Sequence, residues 1–168
     1  MTKTSKNTRK LAIGLFCLAV VLVFLFKQSS FMQTYSLGID PSNERCLPEV
    51  HLTVLKRIAP VSVRSGDLVF FKPDSHFTWV KTAYILKRVA GIEGDHLVIK
   101  GDRVSINGKL LVSGFPLAKF YRGVDFSRDE IIPKGELFLV GTHPLSDDSR
   151  YWGYEHLANI EGTAHAIF

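Results

Sequence analysis

The chain has 168 residues and a formal net charge of +5, and this excess of positive charge is confined to one end. Five of the 21 lysines and arginines lie in the first 27 residues, where there is no acid, so the remaining basic residues equal the 16 acids in number. A neutral remainder excludes the electrostatic footprint of a nucleic-acid-binding protein. The six histidines and two cysteines show no metal-ligand spacing, so we expect neither a metal site nor a cofactor.

An uninterrupted apolar run occupies residues 11–26, directly after four basic residues. As a helix it would span about 24 Å, and extension or snorkelling of Lys10 and Lys27 brings it to a hydrocarbon core of about 30 Å. We predict a transmembrane anchor over residues 11–30. A cleaved secretory signal shares the basic head and apolar middle, but the residues that follow offer no small-residue cleavage pattern.

The basic residues set the predicted orientation of this anchor. Lys3, Lys6, Arg9 and Lys10 precede the apolar run and Lys27 alone follows it closely. The positive-inside rule therefore predicts a cytoplasmic basic tail over residues 1–10 and a single pass through the membrane. It places a domain over residues 34–168 on the outer side of that membrane.

Beyond the anchor, short segments rich in Val, Ile, Leu and Phe alternate with turn residues, which is typical of a mainly β domain. Asn107-Gly108, flanked by apolar residues, is a strong hairpin signal, so the meander 97–112 is predicted to be antiparallel. The predicted strands are 52–58, 68–72, 84–90, 97–100, 103–106, 110–112, 136–141 and 164–168.

Cys46 is the one cysteine outside the apolar run, so it has no disulfide partner within its domain. Such a thiol is either buried and inert or reactive. Pro48 fixes the backbone just beyond it and helps to hold its direction. Cys17, inside the apolar run, is interpreted as a small apolar residue of the anchor.

Lys87 and Arg88 lie between apolar residues on a predicted strand. Since side chains alternate between the two faces, one of these cations must point the same way as its apolar neighbours. Burial of an amine disfavours its charged form, which allows a lysine to act as a base. The alternative is an edge strand with both cations in solvent.

A third segment, residues 141–153, combines hydroxyls with opposite charges. Asp148 and Arg150 can pair across a turn, and the hydroxyls of Ser146 and Ser149 can orient a neighbouring amine. The alternative interpretation is a polar surface loop.

Together these segments resemble the type I signal peptidase family, S26, whose serine-lysine dyad enzymes remove leader peptides at the outer face of the cytoplasmic membrane. Cys46-Leu47-Pro48 matches a nucleophile followed by a hydrophobic residue and proline. Residues 66–71 match "GD-x-V-x-F", residues 87–95 match "KRV-x-G-x-x-GD", and residues 146–153 match "S-x-DSR-Y-W-G". The last two motifs are the specific ones.

The resemblance implies a signal-peptidase-like antiparallel β domain behind one N-terminal transmembrane helix. It implies that Cys46 is the nucleophile and its backbone N–H an oxyanion donor, that Lys87 is the general base, and that Ser146 orients Lys87. Asp148 and Arg150 would support the loop. The resemblance places the anchor in the bacterial inner (cytoplasmic) membrane and the peptidase domain over residues 34–168 in the periplasm. The expected substrate is a secreted or membrane-inserted prepeptide.

Within the family the chain is most similar to the conjugative-transfer, TraF-like branch, which matures prepilin. Like those peptidases it is short, with one anchor and a Pro-x-Ser element at residues 144–146. The resemblance therefore implies a leader peptidase that cleaves a conjugative pilin and can also cyclise it.

Two positions depart from the family pattern. Cys46 replaces the serine nucleophile, and Glu44 replaces a serine that donates to the oxyanion hole in many members. Ser36 and Ser42 are the reserve nucleophiles, although neither is followed by a hydrophobic residue and proline. An alternative function is therefore a catalytically inactive, membrane-anchored pilus-assembly protein with Cys46 as a small buried residue. Self-cleaving repressor-like proteins share the dyad but are cytosolic, so the anchor excludes them.

Overall fold

A computed structural model of the chain describes residues 3–39, 46–77, 80 and 82–167, with the side chains of residues 3–8 and 30 left out. The chain divides into two compact units, Met1–Ser36 and Leu37–Phe168. Glu44 and Ser42, singled out in the sequence, lie outside the described residues, as does Phe168 at the end of the last predicted strand.

The first unit is helical, with α1 over Lys3–Gln28 and α2 over Ser30–Thr34, and it ends inside strand β1, Tyr35–Ile39. The segment Arg9–Gln28 of α1 is long and apolar enough to cross a membrane, and none of it is buried within the protein. Length and composition alone support that statement, and a signal sequence would meet the same criterion.

In the described part of the second unit the strands form two antiparallel sheets. One has seven strands in the order β1-β2-β11-β3-β4-β9-β10, and the other has four in the order β7-β6-β5-β8. The strands are β2 Leu52–Lys56, β3 Leu68–Phe71, β4 Ile85–Gly91, β5 His96–Lys100, β6 Arg103–Ile106, β7 Lys109–Ser113, β8 Arg128–Ile131, β9 Glu136–Val140, β10 Glu155–His156 and β11 Ile160–Ala166. A short helix, α3, covers Ser149–Trp152, and single 3₁₀ turns cover Ser75–Phe77, Ala118–Phe120 and Leu157–Asn159. The prediction of a mainly antiparallel β domain is confirmed.

Strand β9 is buried on both faces and contributes side chains to two apolar cores, one on each face. Its Leu137 and Leu139 pack into a core with residues of β3 and β4, whereas Phe138 and Val140 pack into a second core with β5 and β6. Because successive side chains of a strand point to opposite faces, one continuous apolar strand serves both cores. Burial of each such side chain contributes about 1.5–3 kcal/mol to folding.

The meander predicted over residues 97–112 is formed by β5, β6 and β7. Asn107 and Gly108, between β6 and β7, have φ of 51° and 76°. Positive φ at both central residues is the conformation that Asn-Gly favours in a two-residue hairpin turn.

Candidate active site

Lys87 lies in β4 on the face that is directed into the protein. Ile85, Lys87 and Val89 are buried, whereas Leu86 and Arg88 on the other face are half-buried. The Lys87 residue is only 1% exposed. Of the two adjacent cations, Lys87 is therefore the one that points with the apolar residues.

Three acceptors surround the Lys87 amine. The Nζ atom lies 3.0 Å from Cys46 Sγ, 2.9 Å from Ser146 Oγ and 2.6 Å from the backbone oxygen of Asp147. A protonated amine would donate one N–H to each of them. A neutral amine would donate to the two oxygens and direct its lone pair at the thiol, so the geometry suits both protonation states.

The turn that carries Cys46 is fixed from both sides. Val50 N–H donates to the oxygen of Leu47 at 2.9 Å, and Leu47 and Val50 are buried with Leu68 and Ala164. The oxygen of Cys46 accepts from the N–H of His143 at 3.0 Å. Cys46 itself is half-buried, and these contacts hold its backbone in place.

Gly141 allows the Cys46 turn to approach the loop that follows β9. A Cβ at this position would lie 2.5 Å from the Cys46 oxygen and closer still to Ser146 Oγ. The Ser146 hydroxyl, 1% exposed, fills the space that a side chain would take. Gly141 was not singled out in the sequence, and the requirement for glycine is visible only in three dimensions.

Asp148 and Arg150 form a buried two-point ion pair. Arg150 Nε donates to Asp148 Oδ1 at 2.8 Å and Nη2 to Oδ2 at 3.0 Å, with both side chains at most 1% exposed. The remaining groups are also satisfied, because Arg150 donates to the oxygens of Gly114 and Ser146 and Asp148 accepts from Gly141 N–H. Burial alone would lower the pKa of Arg150, but the hydrogen bonds and charge of Asp148 raise it on balance.

Glu49, which the sequence reasoning missed, ties the Cys46 turn to two other segments. Its carboxylate accepts from Arg88 Nη2 at 3.0 Å and from the Thr142 hydroxyl. Partial burial acts to raise the pKa of Glu49, but the hydrogen bond from Thr142, aided by Arg88, lowers it on balance. Because these partners are 39 and 93 residues away in the chain, no local pattern reveals them.

The structure thus brings together Cys46, Lys87 and Ser146, and joins Asp148 to Arg150 beside them. Their catalytic roles stay predictions. Ser36, a reserve nucleophile, lies in β1 and belongs to the first unit. Among the residues that the structure describes, no group of three or more His, Cys, Asp or Glu is arranged to hold a metal ion.

The family described as "Signal peptidase, peptidase S26" matches residues 9–168 of the chain. The chain belongs to this signal peptidase family. Its apolar helix, found in a member of such a family, suggests that the protein is anchored in a membrane. The family identified from the sequence motifs is confirmed.

Three curated relatives give the degree of similarity. The chain is 32% identical over 115 residues to "Signal peptidase I V" of Bacillus subtilis (strain 168), an alignment covering 60% of this chain and 64% of that protein. It is 28% identical to "Signal peptidase I" of Bacillus caldolyticus over 114 residues, with 60% and 58% covered. It is also 28% identical to "Signal peptidase I" of Leptolyngbya laminosa over 110 residues, with 62% and 52% covered. The chain thus spans less than two thirds of the length of each of these relatives.

A solved structure is also similar to this S26 family member. It is the crystal structure of a signal peptidase I from Enterococcus faecalis V583. The two sequences are 28% identical, and the matched region covers 61% of this chain and 96% of the chain in that crystal structure. The TM-score of that comparison is 0.39.

Proposed function

We propose that this S26 family member is a membrane-anchored leader peptidase in which Cys46 is the nucleophile and Lys87 the general base. The observation that carries the proposal is the 3.0 Å separation of Lys87 Nζ and Cys46 Sγ on a buried lysine. A nucleophile within hydrogen-bond reach of a base, which is itself held by a third group, is the arrangement needed for covalent catalysis. Ser146 is that third group.

Catalysis begins with a neutral Lys87 amine, which takes the thiol proton of Cys46. The thiolate attacks the carbonyl carbon of the scissile peptide bond, and the backbone N–H of Cys46 donates to the oxyanion that forms. The leaving amine takes the proton from Lys87, and a thioester joins Sγ to the leader. Water, deprotonated by Lys87, then attacks the thioester, releases the leader as a carboxylic acid and restores the thiol.

A thiol suits this site because it is more acidic than a hydroxyl and needs less help from the base. The same chemistry provides a second outcome, since an amine can attack the thioester in place of water and form a new peptide bond. In the proposed conjugative, TraF-like branch the precursor is a prepilin, and ring closure follows when the scissile bond lies near the pilin C-terminus. Sγ then carries the pilin acyl group, a C-terminal segment leaves as the amine, and the pilin N-terminal amine attacks the thioester and restores the thiol. Pro144-Leu145-Ser146 supports the assignment to this branch, and the thiol of Cys46, although it departs from the family pattern, suits the aminolysis.

An inactive pilus-assembly protein explains the site less well. In that alternative Cys46 is a buried, inert residue and nothing requires an amine beside it. The Cys46 residue is instead half-buried, and a buried lysine is within hydrogen-bond distance of its sulfur. Since replacing buried, paired polar groups by apolar groups of similar size is often neutral or stabilising, nothing in a scaffold would require an amine at Lys87.

The proposed organisation is a cytoplasmic tail over residues 1–10, an anchor over 11–30 and a periplasmic peptidase domain over 34–168. The excess of basic residues before the apolar run supports this orientation. A precursor that crosses or enters the inner membrane would then reach Cys46 on the outer side.

Mass spectrometry of the candidate pilin, isolated from cells with the native chain or a variant, tests the proposal. With the native chain we expect a pilin that lacks the segment removed by cleavage, and ring closure would lower the mass of that product by one further water. Cys46→Ala should leave the full-length precursor, whereas Cys46→Ser, which keeps a nucleophile, should retain some processing. Normal processing with Cys46→Ala would remove Cys46 from the mechanism.

A further inference from the structure

The side chain of Asp147 is held by two residues from distant parts of the chain. Asp147 Oδ1 accepts from the Tyr121 hydroxyl at 3.0 Å, and Oδ2 lies 3.3 Å from His76 Nε2. The Tyr121 hydroxyl and His76 Nε2 are also 3.3 Å apart. Because a carboxylate can only accept, Nε2 is the ring nitrogen that carries the proton in this arrangement. The three side chains form a closed hydrogen-bonded triangle.

Aromatic packing makes the triangle rigid. The Tyr121 ring stacks on the Tyr151 ring at 5.3 Å and 17°, and the His76 ring meets the Phe77 ring edge-on at 4.8 Å. Burial, followed by the charge of Asp147, raises the pKa of the Tyr121 phenol well above its ordinary value. The Tyr121 hydroxyl therefore keeps its proton and remains a donor to Asp147 over the working pH range.

The backbone of Asp147 is part of the candidate active site. Its oxygen accepts from Lys87 Nζ at 2.6 Å, the shortest of the three contacts of that amine. Several charged and titratable groups lie around Asp147: His76 from the 3₁₀ turn after β3, Tyr121 from the β7–β8 connection, Lys87 from β4, and Asp148, Arg150 and Tyr151 from the segment that follows. Among the residues that the structure describes, His76 and Tyr121 contact the Asp147 carboxylate and make no hydrogen bond to Lys87 or Cys46.

We propose that His76 and Tyr121 are positioning residues that hold Asp147 so that its backbone oxygen fixes the Lys87 amine against Cys46. The inference rests on the proposed function, in which Lys87 is the base. One N–H of the amine is committed to the Asp147 oxygen and a second to Ser146 Oγ, which leaves the lone pair of the neutral amine directed at the thiol. Loosening the Asp147 peptide removes one of these two anchors, and a misdirected base transfers protons more slowly.

The test removes one hydroxyl and measures the thiol. Tyr121→Phe keeps the stacked ring and deletes only the donor to Asp147. Tyr154→Phe is the matched control, because the Tyr154 hydroxyl also donates to a carboxylate, Glu130 Oε1 at 2.9 Å, on another part of the domain. For each variant of the full chain we would measure kcat and KM for precursor cleavage, the thermal unfolding temperature, and the rate at which iodoacetamide alkylates Cys46. Peptide mass spectrometry separates Cys46 from Cys17.

Loss of one positioning hydrogen bond should lower kcat about 3- to 10-fold with KM unchanged. Alkylation of Cys46 should also become slower, as we expect for Lys87→Met. Tyr154→Phe should keep the native kcat and the native alkylation rate. Asp147→Ala should act like Tyr121→Phe or more strongly. Asp147→Asn, whose amide can accept from Tyr121 and donate to His76 in its other tautomer, should restore most of the rate.

A native kcat together with a native alkylation rate in Tyr121→Phe would overturn the inference. A decrease in both rates that is fully explained by the fraction of unfolded protein would overturn it as well. Alkylation needs no substrate, so the inference and the proposed function fail separately. Slow alkylation in Tyr121→Phe, with no precursor cleaved by the native chain, would sustain the positioning role and reject the peptidase. If cleavage depends on Cys46 but is as fast in Tyr121→Phe as in the native chain, the peptidase function stands and the positioning role is rejected.

Discussion

Lys87 and Arg88 are adjacent in β4, yet their environments are opposite. Lys87 is 1% exposed and held by Cys46, Ser146 and Asp147, whereas the Arg88 side chain is 34% exposed and pairs with Glu49. The alternation of side chains along the strand produces this difference. The pair therefore offers a test of the buried amine with a neighbour as its control.

We predict that Lys87→Met abolishes precursor cleavage while the domain stays folded. Methionine keeps the apolar stem and removes the amine, so the desolvation cost of the amine also disappears. Loss of a general base should lower kcat about 100-fold or more. Arg88→Met removes a partly exposed ion pair worth about 0–1 kcal/mol and should cleave nearly normally.

Cleavage rates and thermal unfolding of both variants decide the matter. If Lys87→Met cleaves at the native rate, or loses activity only because it unfolds, Lys87 is not the base. Equal losses in the two variants would point to damage to β4 as a whole.

At the scale of elements, the site depends on how closely the Cys46 turn meets the loop after β9. Gly141 sets that approach, since an added Cβ would meet the Cys46 oxygen and the Ser146 hydroxyl. We predict that Gly141→Ala separates Cys46 and Ser146 from Lys87, and therefore lowers kcat far more than the resulting stability loss of about 1–3 kcal/mol would explain.

Gly91→Ala is the matched control for this prediction. Its added Cβ would lie 2.5 Å from Ile132 Cδ1, in the apolar core between the sheets and away from Cys46. Both variants should unfold at lower temperature, but only Gly141→Ala should lose turnover in the folded protein. Similar turnover in the two variants would show that the close approach at Gly141 is unimportant for the chemistry.

Sequence patterns predicted most of the strands that carry apolar residues, but missed β1, β8 and β10. The segment 103–106 agrees with β6 at both ends, and β2 and β3 start at the predicted residues. Strand β8, Arg128–Ile131, was missed because its side chains are mostly polar and exposed. The last strand begins at Ile160, four residues before the prediction, since Glu161, Gly162 and Thr163 weaken its apolar pattern.

The candidate site was predictable only in part, for a related reason. Cys46, Lys87 and Ser146 lie in motifs that can be read along the chain. The contacts of His76 with Tyr121 and with Asp147 join residues 45 and 71 positions apart, and neither end carries a local signal. Such contacts depend on how the loops meet above β4, which periodicity does not describe.

At the scale of the whole molecule, the distribution of charge is asymmetric about the apolar helix. Four cations precede Leu11 and only Lys27 follows closely after Phe26. We predict that protease added to spheroplasts digests the domain beyond residue 34, and that intact inverted vesicles protect it. The opposite pattern would place Cys46 in the cytoplasm, out of reach of a translocated precursor.

The central claim is that Cys46 attacks the precursor and carries its leader as a thioester. The most direct measurement is the intact mass of the protein after brief mixing with a precursor and quenching in acid. We predict a species heavier by the leader acyl group, mapped to Cys46, removed by hydroxylamine and absent in Cys46→Ala. Cleavage of the precursor by Cys46→Ala at the native rate, or an acyl group carried on a different residue, would contradict the account.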